Sequence, residues 1–220
     1  MRNMSKLLCF HSTRKGEAKE SSEESEETAI QEKYKWVTDI SPKPSDLWIQ
    51  KAVTLFSRFD RDGDGYLSSK DITIYVNAFT KHGCLTRERA NRMRDKTLSF
   101  WKLLNNGAKE VALADFVKSR VPSGKEIDME KVKKNLEDAA TLMFYSIDAD
   151  EDGTLSLQEL VLFFKCIDVK ESFAREIFAT LDLDKDRKIN RGEFLFAFND
   201  YMHNEEESPC KDLFGPLATI

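Results

Sequence analysis

Three stretches of the chain carry carboxylates at alternate positions: DRDGDGYLSSKD at 60–71, DADEDGTLSLQE at 148–159 and DLDKDRKINRGE at 182–193. In each stretch acids stand at positions 1, 3 and 5, and a further acid stands at position 12. Carboxylates this close together repel one another unless a cation lies among them, and a hard divalent cation takes about 6–8 oxygen ligands. The spacing therefore predicts three sites for a divalent metal ion.

This spacing is that of the Ca²⁺ loop of the EF-hand, which takes ligands from positions 1, 3, 5, 7, 9 and 12. It predicts side-chain ligands at positions 1, 3, 5 and 12 and a backbone carbonyl ligand at position 7. In chain order the predicted ligands are Asp60, Asp62, Asp64, Tyr66 and Asp71; Asp148, Asp150, Asp152, Thr154 and Glu159; and Asp182, Asp184, Asp186, Lys188 and Glu193.

Two residues depart from the usual loop. Asp71 replaces glutamate at position 12 and is one methylene shorter, so we expect Mg²⁺ to compete with Ca²⁺ at the first site. Arg187 replaces the glycine at position 6, where a positive φ is expected, at a cost of about 1–3 kcal/mol. We expect this site to be weakened and still able to bind.

The elements that must position these loops are helices, because each loop joins two helices and EF-hands associate in pairs. A fourth hand is predicted at 98–117, with Val111 at the position that bridges to the first loop. Leu104, Asn106 and Ala108 would occupy its metal positions, and they cannot neutralise a divalent ion. The predicted fold is all-α, with four hands in two pairs, the second hand silent. A capping box is also predicted at DVKE, 168–171.

Changes in composition along the chain suggest four regions. Residues 1–40 include GEAKESSEESEE and are predicted to be a disordered charged tail. The hand pairs are predicted at 41–121 and 126–204, separated by the break at VPSGKE, and 205–220 is predicted to be a C-terminal tail that packs back on the globule. A short basic and apolar patch at the N-terminus is a poor membrane anchor, so we do not expect stable membrane contact through it.

The overall composition limits the environment and the partners. A net charge of −5 argues against nucleic acid as a partner. The four cysteines lie far apart without a CxxC pair, which is typical of free thiols in a reducing compartment. No apolar run is long enough for a signal-peptide core or a membrane span. We expect a cytoplasmic monomer.

Taken together, the stretch LWIQKAVTLFSRFDRDGDGYLSSKDI, the silent second hand with its tryptophan, and the closing SPCKDLFGPL resemble the invertebrate sarcoplasmic calcium-binding proteins. Calexcitins, coelenterazine-binding proteins and calcium-regulated photoproteins are similar in plan. The resemblance covers about 45–220, and it implies that the two pairs pack into one compact globule.

Three functions remain open at this point. The first is a calcium buffer or signal modulator. The second is a calexcitin-like sensor that engages a protein target, although only six methionines are present and thirteen of fifteen phenylalanines lie between Phe56 and Phe198, as expected of a fixed core. The third is a luciferin-type carrier, against which Phe198 and Phe214 stand where the resemblance implies His and Tyr. We do not expect an enzyme, because the carboxylates are explained as metal ligands.

Overall fold

The computed structural model describes residues 28, 32–41, 43–83, 85–104, 107–121 and 129–220. The chain divides into two units, Met1–Asp39 with Thr219–Ile220, and Ile40–Ala218, and all three acidic loops lie in the latter. Most of the predicted tail at 1–40, and all but the first residue of the predicted break at 121–126, fall outside the described residues. In the described part of the first unit, Lys35–Asp39 form a short 3-10 helix.

The unit at 40–218 is built from helices joined by loops and two very short sheets, which confirms the predicted all-α fold. Its helices are α1 (Asp46–Phe59), α2 (Ser69–Gly83), α3 (Arg87–Leu104), α4 (Leu113–Lys118), α5 (Met129–Ile147), α6 (Leu157–Cys166), α7 (Glu171–Leu181) and α8 (Arg191–His203). Its strands are β1 (Tyr66–Ser68), β2 (Glu110–Ala112), β3 (Thr154–Leu155) and β4 (Ile189–Asn190). A 3-10 turn, Pro209–Asp212, follows α8.

The strands join the loops in pairs. Strand β1 pairs with β2 in antiparallel fashion, with Leu67 opposite Val111, so the silent second hand is the partner of the first. Strand β3 pairs with β4, with Leu155 opposite Ile189, so the third and fourth hands form the other pair. The predicted bridge between position-8 residues is confirmed in both pairs.

Short polar side chains fix where several helices begin. The Ser45 hydroxyl accepts a hydrogen bond from the Trp48 amide and caps α1. Ser156 and Asn190 each form a capping box with the glutamate three residues later. The predicted capping box at 168–171 is wrong, because α7 begins after Lys170, whose side chain makes no capping hydrogen bond.

Aromatic rings fill the space between the two hand pairs. Phe59 of α1 lies with its ring centroid 6.4 Å from that of Phe163 on α6 and 6.2 Å from that of Phe214. Phe100 of α3 lies 6.3 Å from Phe198 of α8. Because these contacts join helices of different pairs, the two pairs share one core, as the resemblance implied.

The segment after α8 folds back onto this core. Leu213 and Phe214 are buried, and Leu217 is half-buried. Arg58 of α1 holds the segment by donating hydrogen bonds to the carbonyls of Phe214 and Pro216. The boundaries drawn at 41–121, 126–204 and 205–220 stay predictions. No helix in the described ranges is long and apolar enough to cross a membrane.

Candidate metal centres

Within the described residues, carboxylate oxygens converge in three groups, one in each acidic loop. Every group contains the acids at positions 1, 3 and 12, and one carboxylate oxygen from each acid lies within 4.8 Å of the other two. The groups are Asp60, Asp62 and Asp71; Asp148, Asp150 and Glu159; and Asp182, Asp184 and Glu193. The predicted position-5 ligands Asp64, Asp152 and Asp186 are not among them.

The acid at position 12 fixes the loop that precedes it. The loops are numbered by hand, so the acidic loops are the first, third and fourth. In the third loop, Glu159 Oε1 accepts hydrogen bonds from the amides of Ala149 at 2.7 Å and Asp150 at 3.3 Å, while Oε2 accepts from the Ser156 amide at 2.8 Å. In the fourth loop, Glu193 Oε1 accepts from the Leu183 amide and Oε2 from the Asn190 amide, both at 2.8 Å. One carboxylate thus ties together both ends of each loop.

Asp71 does the same work in the first loop although its side chain is shorter. Its Oδ1 accepts from the Arg61 amide at 2.9 Å, and its Oδ2 accepts from the Ser68 amide at 2.8 Å. The backbone partners are therefore at the positions that Glu159 uses. The loss of one methylene is absorbed without losing this hydrogen-bond pattern.

The acids at positions 1, 3 and 5 are oriented by backbone amides of their own loop. In the third loop, Asp148 Oδ2 accepts from the Gly153 amide, Asp150 Oδ1 from the Asp152 amide, and Asp152 Oδ1 from the Thr154 amide. The first and fourth loops repeat this network at the same positions. The residues whose backbone carbonyls are predicted metal ligands lie at the strands: Tyr66 and Thr154 begin β1 and β3, and Lys188 immediately precedes β4.

One oxygen in each loop is buried without a hydrogen-bond partner: Oδ1 of the acid at position 1, in Asp60, Asp148 and Asp182. A buried carboxylate oxygen costs free energy when it has no partner, and a metal ion is one partner that removes this cost. Burial raises the pKa of Asp60 and Asp148, and the neighbouring Asp71 and Glu159 raise them further. The donor sets therefore fit a hard divalent cation held by oxygen ligands.

The loops bend through residues in the left-handed region at positions 4 and 6. The first loop uses glycine at both, Gly63 and Gly65. Arg187 in the fourth loop has φ 70°, as expected for position 6. Position 4 was missed by sequence reasoning: Glu151 and Lys185 have φ 63° and 61°. The two glycines of the first loop, at positions 4 and 6, were the sequence signal that could have revealed the left-handed conformation at position 4.

Arginine contacts between the two hand pairs hold two of the loops, which sequence reasoning also missed. Arg92 of α3 donates to both carboxylate oxygens of Glu151 at 2.9 Å. Arg89 donates to the Asp150 carbonyl, also at 2.9 Å. In the first loop, Arg61 pairs with Asp168 at 2.6 Å. The spacing of 89 and 92 on one helix face was visible in the sequence, but their partners lie about sixty residues away.

The second loop keeps the strand pairing of a hand, and its sequence lacks the acids that the other three loops carry at positions 1, 3 and 5. Ala108 occupies its position 5 and offers no oxygen in its side chain, whereas Val111 pairs in the strand. Asn106 lies outside the described residues. Phe116 and Val117 of the short exit helix α4 are fully buried.

Comparison with known proteins agrees with this architecture. Models of an EF-hand domain pair match residues 49–77 and 136–199. The chain is 32% identical over 177 residues to the sarcoplasmic calcium-binding protein of Perinereis vancaurica tetradentata, covering 79% of this chain and 100% of that protein. This chain belongs to the EF-hand family of sarcoplasmic calcium-binding proteins.

Other proteins similar to this sarcoplasmic calcium-binding protein are named for an organic ligand. The chain is 29% identical to the luciferin-binding protein of Renilla reniformis, over 76% of this chain and 91% of that protein. The coelenterazine-binding protein of Renilla muelleri, solved in its Ca-loaded apo form, superimposes with a TM-score of 0.67 at 27% identity, covering 76% of this chain and 94% of that one.

Proposed function

We propose that this protein binds Ca²⁺ at three EF-hand loops and acts as a cytoplasmic, monomeric calcium buffer or signal modulator. The observation that carries the proposal is the buried, partnerless Oδ1 at position 1 of every acidic loop. A cation bound there relieves the repulsion among the converging carboxylates and stabilises the folded chain by mass action. Mg²⁺ competes at the first loop, where Asp71 is short.

The filled core favours a buffer over a carrier or a sensor. Phe163 of α6 contacts rings from both pairs, with centroids 6.4 Å from Phe59 and from Tyr75. Phe214 lies 4.9 Å from Tyr201 at its side. Opening a groove or a ligand chamber here would separate many aromatic contacts, each worth about 0.5–1.5 kcal/mol beyond its buried area. These contacts therefore favour a closed core over a chamber for a ligand such as luciferin or coelenterazine.

Two further features support the proposed compartment and the absence of catalysis. Cys166 and Cys210 are buried free thiols, which suits a reducing compartment. Burial raises the pKa of Cys166 to about 12 and that of Cys210 to about 11, so neither is an activated nucleophile. We propose a binding protein and not an enzyme.

Isothermal titration with Ca²⁺, with and without Mg²⁺, tests this function. We expect three bound calcium ions, with one binding event weakened by Mg²⁺. Binding of an apolar dye should change little between chelator and calcium, because the core stays closed. A chain that releases or absorbs no heat with Ca²⁺, and whose melting temperature is the same in chelator and calcium, contradicts the proposal.

A sensor is the second candidate, and one surface feature favours it. Leu183 of the fourth loop and Phe196 of α8 are 59% and 61% exposed, and both line a cleft of about 200 Å³ that reaches Leu181 and Cys210. Because Leu183 follows the ligand Asp182, calcium could alter this cleft. Strong calcium-dependent dye binding that is lost in a Leu183→Ser, Phe196→Ser variant would favour the sensor over the buffer.

A further inference from the structure

A lysine of the fourth loop reaches into the third. Lys188 stands at position 7 of its own loop, where its carbonyl is a predicted ligand, and the pairing of Thr154 with Asn190 places it beside the third loop. Its Nζ lies 2.9 Å from Oδ2 of Asp152, the position-5 acid of the third site. Hydrogen bonds from the Thr154 hydroxyl, the Lys188 amine and the Thr154 amide, in that order of size, lower the pKa of Asp152 to about 2.

The first loop carries a similar lysine from a different position. Lys70 stands at position 11, one residue before Asp71, and its amine forms an ion pair with Oδ2 of Asp62, the position-3 acid. Among the described residues, no ion pair reaches the four predicted acidic ligands of the fourth loop. The first and third sites thus each have one ligand acid paired with an ammonium group, by two unrelated routes.

Structural stability does not account for these pairs. Lys70 and Lys188 are both exposed in their side chains, and an exposed ion pair contributes little to folding because water and salt screen it. The same charge matters more to an incoming ion. A divalent cation feels twice the repulsion that a monovalent one does, and the ammonium partly neutralises an acid that is predicted to bind the ion.

We propose that Lys70 and Lys188 are built-in competing cations that weaken calcium binding at the first and third sites respectively. This inference rests on the proposed calcium-binding function and adds residues that set the affinity of individual sites. Each lysine sets the charge at the site whose acid it pairs with. Removing its charge lowers the calcium concentration that half-fills that site by roughly three- to tenfold at low salt. Lys188 also lies in the field of Asp186 in its own loop, so the first site, and not the fourth, is the unaffected reference for Lys188.

Backbone amides provide a separate reporter for each site. At position 6, the amides of Gly65, Gly153 and Arg187 donate to the position-1 acids Asp60, Asp148 and Asp182 at 3.0, 3.1 and 3.1 Å. Metal binding to those acids polarises these hydrogen bonds. Calcium titrations of the full chain, followed by amide resonances in NMR, therefore give one midpoint for each loop.

Lys188→Met should lower the midpoint of the Gly153 resonance and leave that of Gly65 unchanged. Lys70→Met should do the reverse, so each variant is the matched control for the other. Lys188→Arg keeps the charge and should keep the wild-type midpoint. Lys170→Met, an exposed charge removal at the start of α7, should move neither.

A second readout does not depend on bound metal. In chelator, Lys188→Met leaves the acids of the third loop without their counter-ion, so its melting temperature should be equal to or a few degrees below that of the wild type. A higher melting temperature in chelator, an unchanged Gly153 midpoint, or equal shifts of Gly65 and Gly153 would each overturn the inference. If no amide of the wild type responds to calcium, the proposed function itself fails.

Discussion

The two hand pairs differ in the acids of their loops and share the way in which those loops pair. In the C-terminal pair both loops carry a full set of acids, while in the N-terminal pair the second loop offers Ala108 at position 5. Yet the strands β1 and β2 pair over three residues and β3 and β4 over two. Pairing depends on apolar bridging residues and on buried helix faces, and it survives the loss of metal ligands.

This difference means that scaffold and metal chemistry can be changed separately. Leu67 opposite Val111 does for one pair what Leu155 opposite Ile189 does for the other. The second hand also supplies Arg89 and Arg92, which contact the third loop from the other pair. A silent hand thus remains a supporting element for an acidic loop of the other pair.

The largest expected effect comes from the acid at position 12. Glu159→Gln removes a ligand and the anchor of the third loop, so its calcium affinity should fall by roughly 100-fold or more, and titration should count one ion fewer. The matched control is Glu110→Gln, because Glu110 is an exposed acid on β2 of the silent hand. Loss of an ion in the control, or no loss in Glu159→Gln, would contradict the assignment of Glu159 as a metal ligand of the third loop.

Local patterns made much of this architecture predictable. The acid spacing located all three loops, and Val111 identified the silent hand, because position-8 bridging requires an apolar residue whether or not metal binds. The prediction of a capping box at 168–171 was wrong, because a short motif does not by itself determine the residue at which a helix begins. Contacts such as Arg61 with Asp168 could not be predicted, because they depend on how two distant segments pack.

The next effect in size concerns the buried acid at position 1. Asp148→Asn should stabilise the metal-free protein by about 1–2 kcal/mol, because it replaces a partnerless oxygen among carboxylates. In calcium the variant should be less stable than the wild type, because the third site has lost a ligand. Thermal unfolding in chelator and in calcium should show these opposite shifts, at about 2–4 °C per kcal/mol.

The sign of the pH dependence follows from the same group. Burial raises the pKa of Asp148 above its ordinary value of 3.8. In the metal-free protein its contribution to stability is therefore complete below the ordinary value and is lost as the pH rises through the raised one. Asp148→Asn should lose this part of the pH dependence. An unchanged pH profile, or a lower melting temperature in chelator, would contradict the account.

A smaller effect separates the first site from the other two. Asp71→Glu should raise its calcium affinity by roughly tenfold and weaken competition by Mg²⁺, because two-oxygen contact suits the longer Ca²⁺ distances of about 2.3–2.6 Å. Glu159→Asp is the reciprocal control and should move the third site the other way. Titrations of both variants with Ca²⁺ and Mg²⁺ measure this. If Mg²⁺ competes equally at both sites in the wild type, side-chain length does not distinguish them.

The smallest effect compares the third and fourth loops at position 6, where Gly153 has φ 84° and Arg187 has φ 70°. Arg187→Gly removes strain of about 1–3 kcal/mol from the folded state. Against this, the greater freedom of glycine in the unfolded chain costs about 0.4–1 kcal/mol, so the free energy of unfolding should rise by about 1 kcal/mol. Gly153→Ala is the mirror control, since a Cβ there meets nothing within 4 Å and only the backbone conformation is penalised. Because the strain is present with or without metal, both melting-temperature shifts should appear in chelator as well as in calcium. A shift seen only in calcium would mean that Arg187 acts on the ion through its charge, and not on the loop through its φ.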